Sequence, residues 1–107
     1  MANTFKNAAK AVGNTNTTLY TCPASTTAVI HAVFISNVDG TNDATIDVLV
    51  TDNSAGSDFY IMKTVNVPAD SSLVIEKPIN LEAADILKVK ASVAGDLEAF
   101  ASVLEMT

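Results

Sequence analysis

Arginine is missing altogether. All six basic residues among the 107 are lysines (Lys6, Lys10, Lys63, Lys77, Lys88 and Lys90), set against 12 acids for a net charge of −6. Arginine supplies the planar fork that reads phosphate and guanine. An acidic chain without it also forgoes the counterion release that drives nucleic-acid binding, so no nucleic-acid partner is expected. Tryptophan is absent as well, and Tyr20 and Tyr60 are the only tyrosines, which leaves few aromatic faces on which a sugar can stack. No apolar run approaches the roughly 18 residues of a membrane span, and no membrane partner is expected. Residues 1–10 lack the apolar centre of a secretory signal. Synthesis in a reducing cytoplasm is the expectation.

Cys22 is the single cysteine and His31 the single histidine. One of each cannot form an internal disulfide or a zinc site of four nitrogen and sulfur ligands within one chain. Nucleophilic catalysis needs a histidine within hydrogen-bond reach of a nucleophile and an orienting group. His31 instead stands between Ile30 and Ala32 in an apolar run, where it reads as a packed or interface histidine. With four glycines in the chain, a glycine-rich phosphate loop is absent too. The segments Asp39–Asp43 and Asp52–Asp58 offer oxygen ligands at short spacing. The calcium-loop template fails there, because Ala44 and Val50 stand where it requires glycine and a bidentate glutamate. Asp, Asn and Gly are also the ordinary residues of hairpin turns. The sequence therefore points to no catalytic residue, no metal and no cofactor.

What the chain has in quantity is branched apolar residues, within a hydrophobic fraction of 49%. A chain this long buries roughly 65% of its unfolded surface as one domain, so one core is feasible without staples. From Thr17 onward the apolar period is two, the signature of strands. Thr17–Cys22, Ala28–Val38, Ala44–Thr51, Phe59–Val67, Leu73–Glu76, Ile86–Val93 and Leu97–Met106 read as strands, with turn signals every 8–12 residues or so. Ile46, Val48, Val50, Leu87, Val89 and Val93 are expected in one core. Leu97, Ala99, Ala101 and Val103 are expected on one side of the last strand. The predicted class is all-β: a single antiparallel sandwich, immunoglobulin-like or jelly-roll, of seven or eight short strands over residues 17–107. Residues 1–16 are set apart as an N-terminal arm, read either as ordering against a partner or as a first edge strand.

Two corners share one frame: Cys22-Pro23-Ala24-Ser25-Thr26-Thr27-Ala28-Val29-Ile30 and Val67-Pro68-Ala69-Asp70-Ser71-Ser72-Leu73-Val74-Ile75. Proline ends a ladder by removing a donor and fixing φ. Ser and Thr then offer oxygens to turn amides. Strand Ala28–Val38 is apolar on both faces, with Val29, His31, Val33 and Ile35 on one and Ile30, Ala32 and Phe34 on the other. A sandwich strand backed by solvent alternates apolar with polar. The surplus face therefore calls for a partner, with Ile30 and Phe34 on the strand and Phe5 and Val12 on the arm as the expected contact residues.

The run Leu19–Ile30 resembles the start of small β-sandwich structural proteins of tailed bacteriophages, especially phages of aquatic bacteria. The likeness continues through Ile35–Gly40, Asn42–Ile46, Val67–Ala69, Leu81–Val89 and Ala101–Glu105, covering roughly residues 19–105. The family often has glycine after Pro-Ala, where this chain has Ser25 and Asp70, and tends to have valine at the place of Cys22. A corner that needs positive φ would be strained at those two positions. The resemblance implies a virion structural protein without enzymatic activity. The expected role is a head decoration or cement protein that binds a major capsid protein and works as a homo-oligomer. The alternatives are a tail, neck or fibre component and, from another class, a glycan-binding module.

Overall fold

The computed structural model describes residues 2–107. Its strands are β1 (Asn3–Ala11), β2 (Thr17–Thr21), β3 (Thr27–Asn37), β4 (Ala44–Asp52), β5 (Ser57–Val67), β6 (Ser72–Ile75), β7 (Ile79–Leu81), β8 (Ile86–Ala91) and β9 (Leu97–Met106), with no helix among the described residues. The predicted strands reappear with no end moved by more than two residues; Ile86–Val93 stops at Ala91. β1 and β7 bring the number above the seven or eight expected.

Two antiparallel sheets face each other. Sheet A has the order β1-β9-β3-β6, with β7 also on β3, and sheet B the order β2-β8-β4-β5. β6 and β7 pair with successive parts of β3, so they are one strand interrupted by Glu76-Lys77-Pro78. Proline there cannot continue the ladder. With those two pieces counted once, successive strands cross between the sheets in jelly-roll order, except that β4 and β5 are neighbours in sheet B.

Ile30, Val33, Ile35, Ile46, Val48, Leu87 and Val89 are all fully buried between the sheets, each contributing roughly 1.5–3 kcal/mol on burial. Leu97, Ala99, Ala101 and Val103 join them from β9. Two core expectations need correcting. Val50 is only partly buried, and Val93 is 48% exposed, because β8 has ended and the chain has turned at Ser92. The end of β3 is locked by Asn37, whose Nδ2 donates to the carbonyls of Val67 and Asn42 at 2.9 and 3.0 Å.

A second correction concerns β3. Its register against β9 shifts between Ile30 and Ala32. This bulge inserts an unpaired residue and reverses the phase of the strand. Ala28 and Ile30 point inward before it, and Val33, Ile35 and Asn37 after it. The faces that strict alternation assigns are therefore mixed: Val29, His31 and Phe34 share the outer side.

Residues 3–11 form the edge strand of sheet A, paired with β9 from Asn3↔Met106 to Ala11↔Glu98 without a break. Every residue of β1 is exposed except Ala8, which is half-buried. Val12, just beyond it, is fully buried and donates its N–H to the Leu97 carbonyl at 2.9 Å.

Candidate interaction face

The outer face of sheet A is built by cross-strand register. One row runs Phe5, Leu104, Val29, Asn80, and another runs Ala9, Phe100, Phe34, Val74. Between them lie Asn7 and Ser102, with His31 and Ala32 at the bulge. No acid or lysine occurs in these two rows; the nearest charges are Glu98 in the next row and the exposed Glu76 and Lys77 between β6 and β7. Sheet B is different, since Asp47 pairs with Lys90 and Lys88 stands opposite Leu49. The outer face of sheet A is thus the less charged side of the sandwich.

The less charged side is also wet. Phe5 is 85% exposed, and Phe34 and Phe100 are 40% exposed each. The two central rings lie 6.3 Å apart with their planes tilted by 58°, within the range at which aromatic pairs attract. A groove lined by Phe5, Lys6, Val29, His31, Phe100 and Leu104 runs beside them. Contiguous apolar surface of this kind marks an interaction site more often than chance exposure.

The four residues singled out in the sequence divide. Phe5 and Phe34 lie on this face. Val12 and Ile30 lie in the core and are off it: Ile30 because it precedes the bulge, Val12 because it plugs the end of the sandwich. Phe100, Leu104 and Val29 are the face residues that sequence reasoning missed. Their signal was β9 itself, whose alternate positions Phe100, Leu104 and Met106 are apolar opposite an already apolar inner set.

The chemistry elsewhere is structural. Cys22 is buried, and its thiol donates to the Thr26 carbonyl at 3.3 Å. Burial first, then the nearby Glu105 and Asp85 carboxylates, push that thiol up from its ordinary range. His31 is exposed on the opposite side of sheet A, so the two never meet. Asp52, Glu82 and Asp85 bring their carboxylates within 4.8 Å of one another. Both Asp85 oxygens are occupied, accepting from the Asn53 and Glu82 amides at 2.9 Å each. In the other acidic loop, Asp39 Oδ1 accepts from the Thr41 and Asn42 amides at 2.8 and 3.2 Å. Those bonds hold the Asp39 carboxyl below its usual range.

No family model matches the chain, and no curated protein matches it. Solved structures do. A chain from the acid-stable capsid of Helicobacter pylori bacteriophage KHP30 superposes with a TM-score of 0.60 at 11% identity, over 100% of this chain and 89% of that one. A chain from the disulfide-linked pili of Bacillus endospore appendages gives 0.56 at 17% identity, over 99% and 87%. A chain from the infectious bursal disease virus structure gives 0.54 at 11% identity, over 98% and 33%. At these identities the likeness establishes the fold. The resemblance to β-sandwich phage virion proteins therefore holds at that level, and the fold is one that chains of viral capsids and pili share.

Proposed function

We propose that this chain is a bacteriophage virion structural protein, and specifically a decoration or cement protein that seats the outer face of sheet A on the head. The observation that carries the reading is the match, over nearly the full length of both chains, to a component of a phage capsid. Three features support it. The rows of this face that hold Phe5, Leu104, Val29, Phe100 and Phe34 carry no acid or lysine in a chain of net charge −6, so docking on them desolvates few ions. The Phe34–Phe100 pair is preformed, which lowers the ordering cost of binding. The polar groups with strongly engaged hydrogen bonds, Asp85 and Asp39, are committed to loop amides and are not free for chemistry.

The test is loading onto phage particles, with position read by electron microscopy. Wild-type protein is expected on the head. A Phe34→Thr/Phe100→Thr variant is expected to remain folded, because both rings are partly solvent-exposed and threonine suits a strand, and to fail to load. Density at the neck or tail would move the protein to those parts of the virion. Absence of binding to any virion component would overturn the reading.

A further inference from the structure

We infer that two copies of this chain join edge to edge through β1, antiparallel about a two-fold axis at Asn7, so that the two A sheets become one. The inference deepens the virion reading by naming how copies meet, and it rests on the backbone of β1.

The ladder fixes which backbone groups are free. Ala2 and Thr107 exchange both N–H···O bonds, at 3.2 and 2.9 Å, and Val12 donates to Leu97. The register between β1 and β9 is unbroken from Asn3 to Ala11. In an antiparallel pair such bonded positions alternate, so the even-numbered residues of β1 bond to β9. The N–H and C=O groups of Asn3, Phe5, Asn7, Ala9 and Ala11 therefore point to the open edge.

A second antiparallel β1 satisfies them only if odd residues face odd residues. With Asn7 opposite Asn7 of the second copy, Phe5 faces Ala9, Asn3 faces Ala11, Lys6 faces Ala8 and Thr4 faces Lys10. Every residue of the strand is paired. Sliding two residues one way sets Lys6 opposite Lys6; sliding two the other way sets Lys6 opposite Lys10. Like charges directly opposite are destabilising, and both slides also shorten the ladder. Length and charge select the same register.

The side chains agree with it. Phe5 projects from β1 with almost nothing against it. In this register it lands on Ala9 of the second copy, whose neighbour across the ladder is Phe100. Ala9, Ala11, Phe34 and Phe100 line a groove there, with Lys10 and Glu98 also in its lining. The small alanines leave room for a third ring beside the two already present. The two apolar faces then run into one another.

The other edges are guarded. β5 is distorted by two register shifts against β4 and by Thr64 at φ 54°. β2 has a shift between Thr18 and Tyr20. β6 and β7 are short and broken by Pro78. Bulges, short strands and proline are the devices that stop edge pairing. Among the described residues, β1 is the long edge without one.

Sedimentation velocity of the full chain over a concentration series tests this. Wild type is expected to show a concentration-dependent dimer. Asn7→Pro removes an N–H that β9 does not use, at an edge position where proline is tolerated, so the dimer is expected to be lost with melting little changed. Should that variant fail to fold, Asn7→Cys gives a second reading. The paired Cα atoms of a bonded position sit about 5.5 Å apart, within disulfide range, so mild oxidation is expected to cross-link Asn7→Cys far faster than Asn3→Cys. A wild type that is monomeric throughout, an Asn7→Pro dimer as strong as wild type, or equal cross-linking rates at the two positions would each overturn the inference. Particle loading is a separate readout, so a monomer that still loads leaves the virion reading standing.

Discussion

The Tyr20 hydroxyl donates a hydrogen bond to Oε2 of Glu105, and that bond joins the two sheets. Tyr20 belongs to β2 of sheet B and Glu105 to β9 of sheet A. Glu105 is buried, and its other oxygen, Oε1, lies 3.1 Å from Lys6 Nζ on β1. One carboxylate thus gathers the first, second and last strands. Burial first, then the Glu105 bond, push the Tyr20 hydroxyl far up from its ordinary 10.0, so it remains a donor at any working pH.

Tyr20→Phe keeps the ring and removes the donor. Glu105 then retains a buried carboxylate with a single partner. The expected cost is about 1–2 kcal/mol, read as a lowered denaturation midpoint with unchanged slope. An unchanged midpoint would mean that water replaces the hydroxyl at no cost.

The same carboxylate sets part of the acid stability. The Tyr20 bond first, and then Lys6, outweigh burial and hold Glu105 below its ordinary 4.5. The native state therefore takes up this proton less readily than the unfolded chain. The resulting stabilisation is fully present above about pH 4.5 and is lost as pH falls through the lower folded-state value. Asp39 and Asp52 are lowered too and act in the same direction, though as exposed groups they contribute little. Asp96, raised by burial and then by Asp39, acts in the opposite one. Glu105→Gln can still accept from Tyr20 but does not titrate. Its urea stability is expected to fall less steeply on acidification than that of wild type. Parallel acid limbs in the two proteins would show that Glu105 is not the group responsible.

The acidic loops should be indifferent to calcium. Asp85 spends both oxygens on backbone amides, and Asp52 Oδ1 accepts from the Ser54 amide and hydroxyl at 3.1 and 2.8 Å. The turns are thus closed by the protein's own donors. Thermal melting in saturating calcium and in chelator is expected to give one midpoint. A ligand that binds only the native state must raise it, so a calcium-dependent rise would reveal a site.

Strand positions were legible where one face is wet. Ile46 and Val48 alternate with Thr45 and Asp47, and Leu87 and Val89 with Lys88 and Lys90, and each pair of apolar residues is in the core. β3 was not legible in the same way. Its bulge arises because β9 offers one residue fewer between Ile30 and Ala32, a property of the pairing and not of either strand alone. That one residue sends Ile30 to the core and Phe34 to the surface. β1 is not legible as a strand for another reason. Its sequence has no apolar alternation, and its place in sheet A is made by backbone groups that every residue carries. The outer face lay half hidden as well, since Phe100 and Leu104 join Val29 and Phe34 only through the register.

The two corners yield the last prediction. Ser25 sits at φ 56° and Asp70 at φ 57°, each two residues after its proline. The second corner closes with the Ser71 amide donating to the Pro68 carbonyl at 3.1 Å, so Asp70 is the third residue of a turn that requires positive φ there. Left-handed backbone costs an L-residue roughly 1–2 kcal/mol, and less for aspartate, whose short polar side chain suits it. Glycine removes that cost but loses about 0.5–1 kcal/mol through the greater freedom of its unfolded chain. Ser25→Gly is therefore expected to stabilise by about 0.5 kcal/mol, and Asp70→Gly by less. Ser25→Ala serves as the control, since it keeps a Cβ at the strained position and should not stabilise. If Ser25→Gly proves less stable than Ser25→Ala in urea denaturation, the left-handed backbone at Ser25 costs less than the added freedom of glycine in the unfolded chain, and the corner is not strained.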